Sequence, residues 1–141
     1  MNMNNCLFCK IIKGEIPCFK IYEDHETLVF LDPAQDVDGH MIAIPKEHCS
    51  SILDCSEKSL KSLFKTIQVV SKHIVDNCGY NGVNLLNASG KCAGQSIHHF
   101  HMHIIPRKEH DGIDAWPSMN NHKRTLEEMQ KELDMRSQNE Y

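Results

Sequence analysis

The sequence predicts an α+β protein, with an antiparallel sheet of about five strands, one long amphipathic helix and a short C-terminal helix. Three observations carry this. Five short segments rich in β-branched and aromatic residues follow one another mostly by short turns. Between the third and fourth lies a stretch with apolar residues every three or four positions. Near the end, Thr125-x-x-Glu128 has the pattern of a capping box, which opens a helix by satisfying backbone N–H groups that have no partner in the first turn.

Taken in order, Gly14-Glu15-Ile16-Pro17 is a turn, and Phe19 to Glu23 and Thr27 to Asp32 form a hairpin around the polar Asp24-His25-Glu26. A loop rich in Asp and Gly, Pro33 to Gly39, leads into a third strand, His40 to Ile44. Pro45 stops it, having no N–H for the ladder. From Ser56 to Asn77 the residues Leu60, Leu63, Phe64, Ile67, Val70 and Ile74 recur on one helical face, and Gly79 ends the helix. Val83 to Asn87 is the fourth strand and Ala88 to Gly94 a loop with two glycines. Ile97 to Ile105 is the last strand, closed by Pro106. In the tail, Leu126, Met129 and Leu133 share one face of the capped helix, and Ser137 to Tyr141 reads as a frayed end.

A chain of 141 residues, 40% apolar and 24% charged, without internal repeats, reads as one domain able to bury a core. With 15 basic against 19 acidic residues, it lacks the basic surplus of a general nucleic-acid binder, so an anionic ligand must be held locally. The longest apolar runs, such as Leu28 to Leu31, are four residues, against the ~20 a membrane helix needs. No secretory signal occupies Met1 to Lys10, so the reading is a cytoplasmic protein with reduced cysteines. Seven cysteines is an odd count and argues against a disulfide framework. Cys18, Cys49, Cys55, Cys78 and Cys92 are scattered and read as small buried or half-buried fillers. Cys6-Leu-Phe-Cys9 differs. Two thiolates separated by two residues can reach one tetrahedral ion from a tight turn, as half of a zinc site, or can act as a redox pair.

The most informative segment is His99-Phe100-His101-Met102-His103-Ile104-Ile105. Side chains alternate along a strand, so His99, His101 and His103 share one face while Phe100, Met102 and Ile104 point into the core. His98 falls on the face away from the triad and reads as a surface or interface residue. Three aligned imidazoles make a site, and the chemistry is either metal ligation, since H-x-H on a strand also supplies zinc nitrogens, or nucleophilic catalysis.

This segment closely resembles the motif of the histidine triad (HIT) family of nucleotide hydrolases and transferases, His-φ-His-φ-His-φ-φ with φ apolar. The resemblance extends through Phe8-x-Lys10-Ile11-Ile12-x-Gly14-Glu15-Ile16-Pro17, Glu23-Asp24, Val29-Phe30-x-Asp32, Gly39-His40, Ile44-Pro45-Lys46-x-His48, Asn87 and Gly94-Gln95-Ser96. It covers roughly residues 6 to 107, leaving 108 to 141 as a C-terminal extension, and is most similar to the Hint branch because the third histidine, His103, is present.

The resemblance implies a HIT-like fold, a homodimer and a site for a purine nucleotide such as AMP or GMP. It implies His101 as nucleophile toward the α-phosphorus, His103 as a hydrogen-bonding partner of the phosphate oxygens, and His40 as a supporting histidine from a neighbouring strand. Ser96, with the Gly94, Gln95 and Ser96 backbone, would approach the phosphate, since small residues allow close contact. Asp32 aligns with the acid that accepts from ribose hydroxyls, Asn87 with a residue on the ribose-phosphate side, and Leu7, Phe8, Phe30 and Ile42 with the apolar slot for the base. Cys6, Cys9, His48 and His99 match the ligands of a bacterial-type structural zinc, one Zn2+ per chain. Asp111 to Trp116, followed by Pro117, resembles a tail that some relatives send toward the partner subunit.

The expected reaction is hydrolysis of a nucleoside phosphoramidate or related α-phosphate conjugate through a nucleotidyl-histidine, releasing a nucleoside monophosphate. Two alternatives stay open: a nucleotide-binding regulatory module with little turnover, and a dinucleoside polyphosphate hydrolase. A zinc hydrolase using all three triad histidines as ligands is disfavoured, because the thiols would compete for the metal.

Overall fold

The computed structural model describes residues 3–136, so the C-terminal end expected to fray lies outside the described residues. A short helix α1 (Leu7–Ile12) precedes strands β1 (Lys20–Glu23), β2 (Thr27–Leu31) and β3 (Met41–Pro45). The long helix α2 (Glu57–Asn77), β4 (Gly82–Leu86), β5 (Met102–Arg107) and helix α3 (Leu126–Leu133) follow. The strands form one five-stranded sheet in the order β1-β2-β3-β5-β4, antiparallel at every pairing. The expected α+β architecture is the one observed.

Both faces of the sheet are covered, which is why β2 and β3 read as nearly continuous apolar runs. On one face Val29, Met41, Ala43, Phe100, Met102 and Ile104 pack against Leu63, Ile67, Val70 and Ile74 of α2. On the other, Leu28, Phe30, Ile42 and Ile44 pack against Cys6, Phe8, Cys9 and Ile11. Ser56 caps α2, its side chain accepting from the Ser59 N–H. Thr66 on α2 meets Thr27 on β2 hydroxyl to hydroxyl at 2.7 Å, and the Thr27 hydroxyl also lies 2.9 Å from the Asp24 carboxylate, so these buried polar groups are partnered. Gly39 turns the chain into β3 at φ 78°, where an added Cβ would lie 3.0 Å from Pro106 Cγ, so conformation and space both select glycine.

Several local expectations change. The segment expected as a tight turn around Cys6 and Cys9 is helix α1, with the Cys6 sulfur accepting from the Cys9 N–H. β3 does end at Pro45, which is its last residue, whereas Pro106, expected to close the last strand, lies inside β5 and Arg107 ends it. The last strand begins at Met102 rather than Ile97, because β3 pairs with β5 only as far as Ala43 opposite Met102. Phe64 is half exposed, while Ser59 and Thr66 complete the buried stripe of α2. The capping box of α3 forms as expected, but Leu126 and Leu133 remain in solvent.

The cysteine reading is corrected too. Cys49 and Cys55 form a disulfide instead of acting as separate fillers. The turn between them brings their Cα atoms to 5.0 Å, and Asp54 closes that turn by accepting from the Ser50 and Ser51 N–H groups. Cys78 and Cys92 are exposed rather than buried. Among the described residues no helix is long and apolar enough to cross a membrane.

Candidate active site and metal centre

The site follows from the alternation of the histidine segment. Phe100, Met102 and Ile104 join the α2 core, so the histidines project to the face covered by α1. There the Phe8 ring meets His99 and His101 edge-on, with centroids 5.8 and 5.2 Å away. Residues 97–101 lie outside the ladder, yet the alternation persists because the Phe100 N–H donates to the Cys49 carbonyl at 2.7 Å and anchors the segment. His98 is exposed, as its place in the alternation requires.

His99 is completely buried and its Nε2 lies 2.8 Å from the Pro45 carbonyl. A carbonyl only accepts, so Nε2 carries the proton and Nδ1 presents a lone pair. That Nδ1 faces Cys6 Sγ at 3.4 Å, Cys9 Sγ at 3.6 Å and His48 Nδ1 at 3.2 Å, while Cys9 Sγ lies 3.3 Å from His48 Nδ1. A zinc tetrahedron with bonds of ~2.0 Å to nitrogen and ~2.3 Å to sulfur has edges of about 3.3 to 3.8 Å, so these separations match its edges. Cys6, Cys9, His48 and His99 thus form a cluster able to hold a metal ion, and the Pro45 carbonyl orients one ligand from outside. Burial holds His99 down to about 4, and burial with the neighbouring Cys6 thiol pushes Cys9 up to about 11. Both shifts favour the uncharged forms of His99 and Cys9.

The other two histidines open onto a cleft of about 280 Å³. Leu7, Phe8, Phe30 and Ile42 are part of its apolar wall, and Asp32, Gly94, Gln95, Ser96, His101 and His103 also line it. Every residue expected to touch nucleotide is there except Asn87, whose side-chain amide instead donates to the His101 carbonyl at 2.8 Å. Gln95 lines the cleft but braces its rim, donating to the Ser50 and Ile97 carbonyls and accepting from the Gly90 N–H. Gly94 takes the left-handed conformation just before it, at φ 95°.

His101 Nδ1 lies 2.8 Å from the His99 carbonyl. The proton is again on the nitrogen facing the carbonyl, so Nε2 is left with a lone pair. The His103 ring is 5.0 Å from that of His101, centroid to centroid. His40 contacts His103 rather than His101, with Nε2 2.8 Å from His103 Nδ1. The register explains it, since Ile42 lies opposite His103, which puts His40 diagonal to His103 and far from His101. Asp32 Oδ2 approaches both rings, at 3.5 Å from His40 and 4.0 Å from His103. Asp36 accepts from His40 Nδ1 at 2.6 Å, a contact the sequence reading missed because nothing distinguished Asp36 from Asp38 in a loop rich in both Asp and Gly.

Residues 13–110 match the model of the HIT domain. The chain belongs to the HIT domain family. Its HIT relatives include the Protein hit of Bacillus subtilis, 45% identical over 79% of this chain and 77% of that one. Adenosine 5'-monophosphoramidase hnt1 of Schizosaccharomyces pombe is 40% identical over 81% of this chain and 84% of that protein. Among solved structures, a HIT family protein from Bacillus anthracis superposes with a TM-score of 0.79 at 40% identity, covering 91% of this chain and 92% of the other. A Zn-bound histidine triad protein from Mycobacterium smegmatis superposes at 0.76 with 28% identity, covering 84% and 86%.

Proposed function

We propose that this HIT protein is a nucleotide hydrolase that cleaves nucleoside phosphoramidates, or related conjugates of a nucleotide α-phosphate, through a covalent nucleotidyl-His101. The observation that carries the proposal is the 2.8 Å contact of His101 Nδ1 with the His99 carbonyl. The Nδ1 proton is held by the His99 carbonyl, so an Nε2 lone pair stands in the cleft ready to attack. The phosphoramidase relative supports the substrate class.

In the first step His101 Nε2 bonds to the α-phosphorus as the bond to the leaving amine or alcohol breaks, its electron pair departing with that group, which takes up a proton. In the second, water attacks phosphorus, gives up a proton, and the N–P pair returns to His101 as the nucleoside monophosphate leaves. The apolar wall of Leu7, Phe8, Phe30 and Ile42 accepts the base. Asp32 accepts from ribose hydroxyls. Ser96 with the Gly94 and Gln95 backbone, together with His103, stabilises phosphate charge. Asn87 acts from behind, holding the His101 carbonyl.

Cys6, Cys9, His48 and His99 would hold a structural Zn2+, a closed set of two sulfurs and two nitrogens that ties α1 to the catalytic strand. The chain would function in the cytoplasm as a homodimer, with AMP or GMP as product.

Turnover of adenosine 5'-phosphoramidate by wild type and His101→Ala, with AMP binding measured on both, tests the reading. The variant should lose at least about 10³-fold in kcat while still binding AMP. A wild type no faster than the variant would instead mark a nucleotide-binding module.

A further inference from the structure

Beside the catalytic strand, Asp36, His40 and His103 form a chain of hydrogen bonds whose proton count can be worked out. Asp36 Oδ1 lies 2.6 Å from His40 Nδ1, and the hydrogen bond from His40 holds the Asp36 carboxyl below the usual carboxylate range. An ionised carboxylate only accepts, so the proton between them belongs to His40 Nδ1. In the neutral ring His40 Nε2 is then bare. It lies 2.8 Å from His103 Nδ1, a distance that requires one proton between the two nitrogens, which a neutral His40 takes from His103. With its single proton on Nδ1, neutral His103 leaves Nε2, the nitrogen free to serve the cleft, as a lone pair. That is the wrong partner for a phosphate oxygen, which is itself an acceptor.

We propose that Asp36 is a positioning residue that, acting through His40, keeps the resting proton of His103 on Nδ1 and stabilises the second proton His103 must take up on Nε2 when a nucleotide phosphate enters. This rests on the nucleotide reading given above. The added proton comes from solvent and sits on Nε2. The positive charge is shared by His103 and His40 across their hydrogen bond, with the Asp36 carboxylate at one end and the bound phosphate at the other. Burial, with His101 and His40 close by, disfavours charge on His103 in the empty site, whereas Asp32 and Asp36 favour it. Asp114 lines a second cleft together with Asp36, His40 and His103. A bound anion therefore adds to the groups that favour charge on His103. His103 becomes a donor on demand.

Asp36→Asn tests this, because the amide oxygen still accepts from His40 Nδ1 while the charge is gone. Its side chain is half exposed, so the variant should fold, which thermal unfolding checks. The first measurement is proton uptake on AMP binding at pH 8, by calorimetry in buffers of different ionisation heat. Wild type should take up close to one proton and Asp36→Asn clearly less, with AMP binding weakened roughly tenfold. The alkaline limb of the kcat/KM profile should move down by about one pH unit, and Asp36→Glu should restore much of the difference. The second measurement is the ¹⁵N spectrum of His103 in the free protein at pH 8, with the proton expected on Nδ1. A His103 protonated on Nε2 in the free protein, or an Asp36→Asn variant with unchanged proton uptake and pH profile, overturns the proposal. Absence of phosphoramidate turnover would instead sink the proposed hydrolase activity. The ¹⁵N spectrum would still decide the relay.

Discussion

His99 and His103 are four residues apart on one face of one segment, yet they sit in opposite kinds of surroundings. Around the fully buried His99 are two thiols and a second imidazole; around His103 are carboxylates, a hydrogen-bonded histidine and a cleft. His99 gives its proton to a carbonyl and turns its lone pair inward to a closed set of donors. His103 Nδ1 instead lies 2.8 Å from His40 Nε2, and its ring lines the cleft. The two corners differ in their neighbours, not in the residue type. His101 stands between the two corners. The His99 carbonyl orients it from one side and the His103 ring packs against it from the other.

The largest expected effect comes from breaking the His99 corner. Cys9→Ser should lower zinc from about one per chain to a few tenths or less and reduce stability by about 3 kcal/mol, read by emission analysis and thermal unfolding. Its folded fraction should keep far more activity than His101→Ala does. Wild-type zinc content in Cys9→Ser would show that the thiols are not ligands, and activity lost as fully as in His101→Ala would show that the two corners are not separable.

A smaller effect sharpens the boundary between them. Asn87→Ala removes the amide that holds the His101 carbonyl and should cost about 1 kcal/mol of stability, lowering kcat rather than raising KM, by about fivefold. A pure rise in KM would instead return Asn87 to direct contact with nucleotide.

Local features were the most legible in the sequence. α2 repeats its apolar residues over 21 residues, and the α3 capping box needs only two side chains, so both form where the pattern puts them. α1 has only six residues, too few for a period to show, and its Cys-x-x-Cys pattern fits a turn equally well. The start of β5 depended on where β3 runs out, and the contact of His40 with His103 depended on register between strands about 60 residues apart, which no local pattern encodes. The metal cluster was legible through family resemblance, because its four ligands come from three separate stretches of chain. Nothing comparable pointed to Asp36 or to the Cys49–Cys55 disulfide.

The central claim is that a bond forms between His101 Nε2 and phosphorus. Mixing the protein with adenosine 5'-phosphoramidate for milliseconds, quenching without acid, and mapping the adenylylated peptide by mass spectrometry tests it directly. One added AMP is expected on the peptide containing His101, absent in His101→Ala. Turnover without any such adduct, or an adduct on another residue, would contradict it.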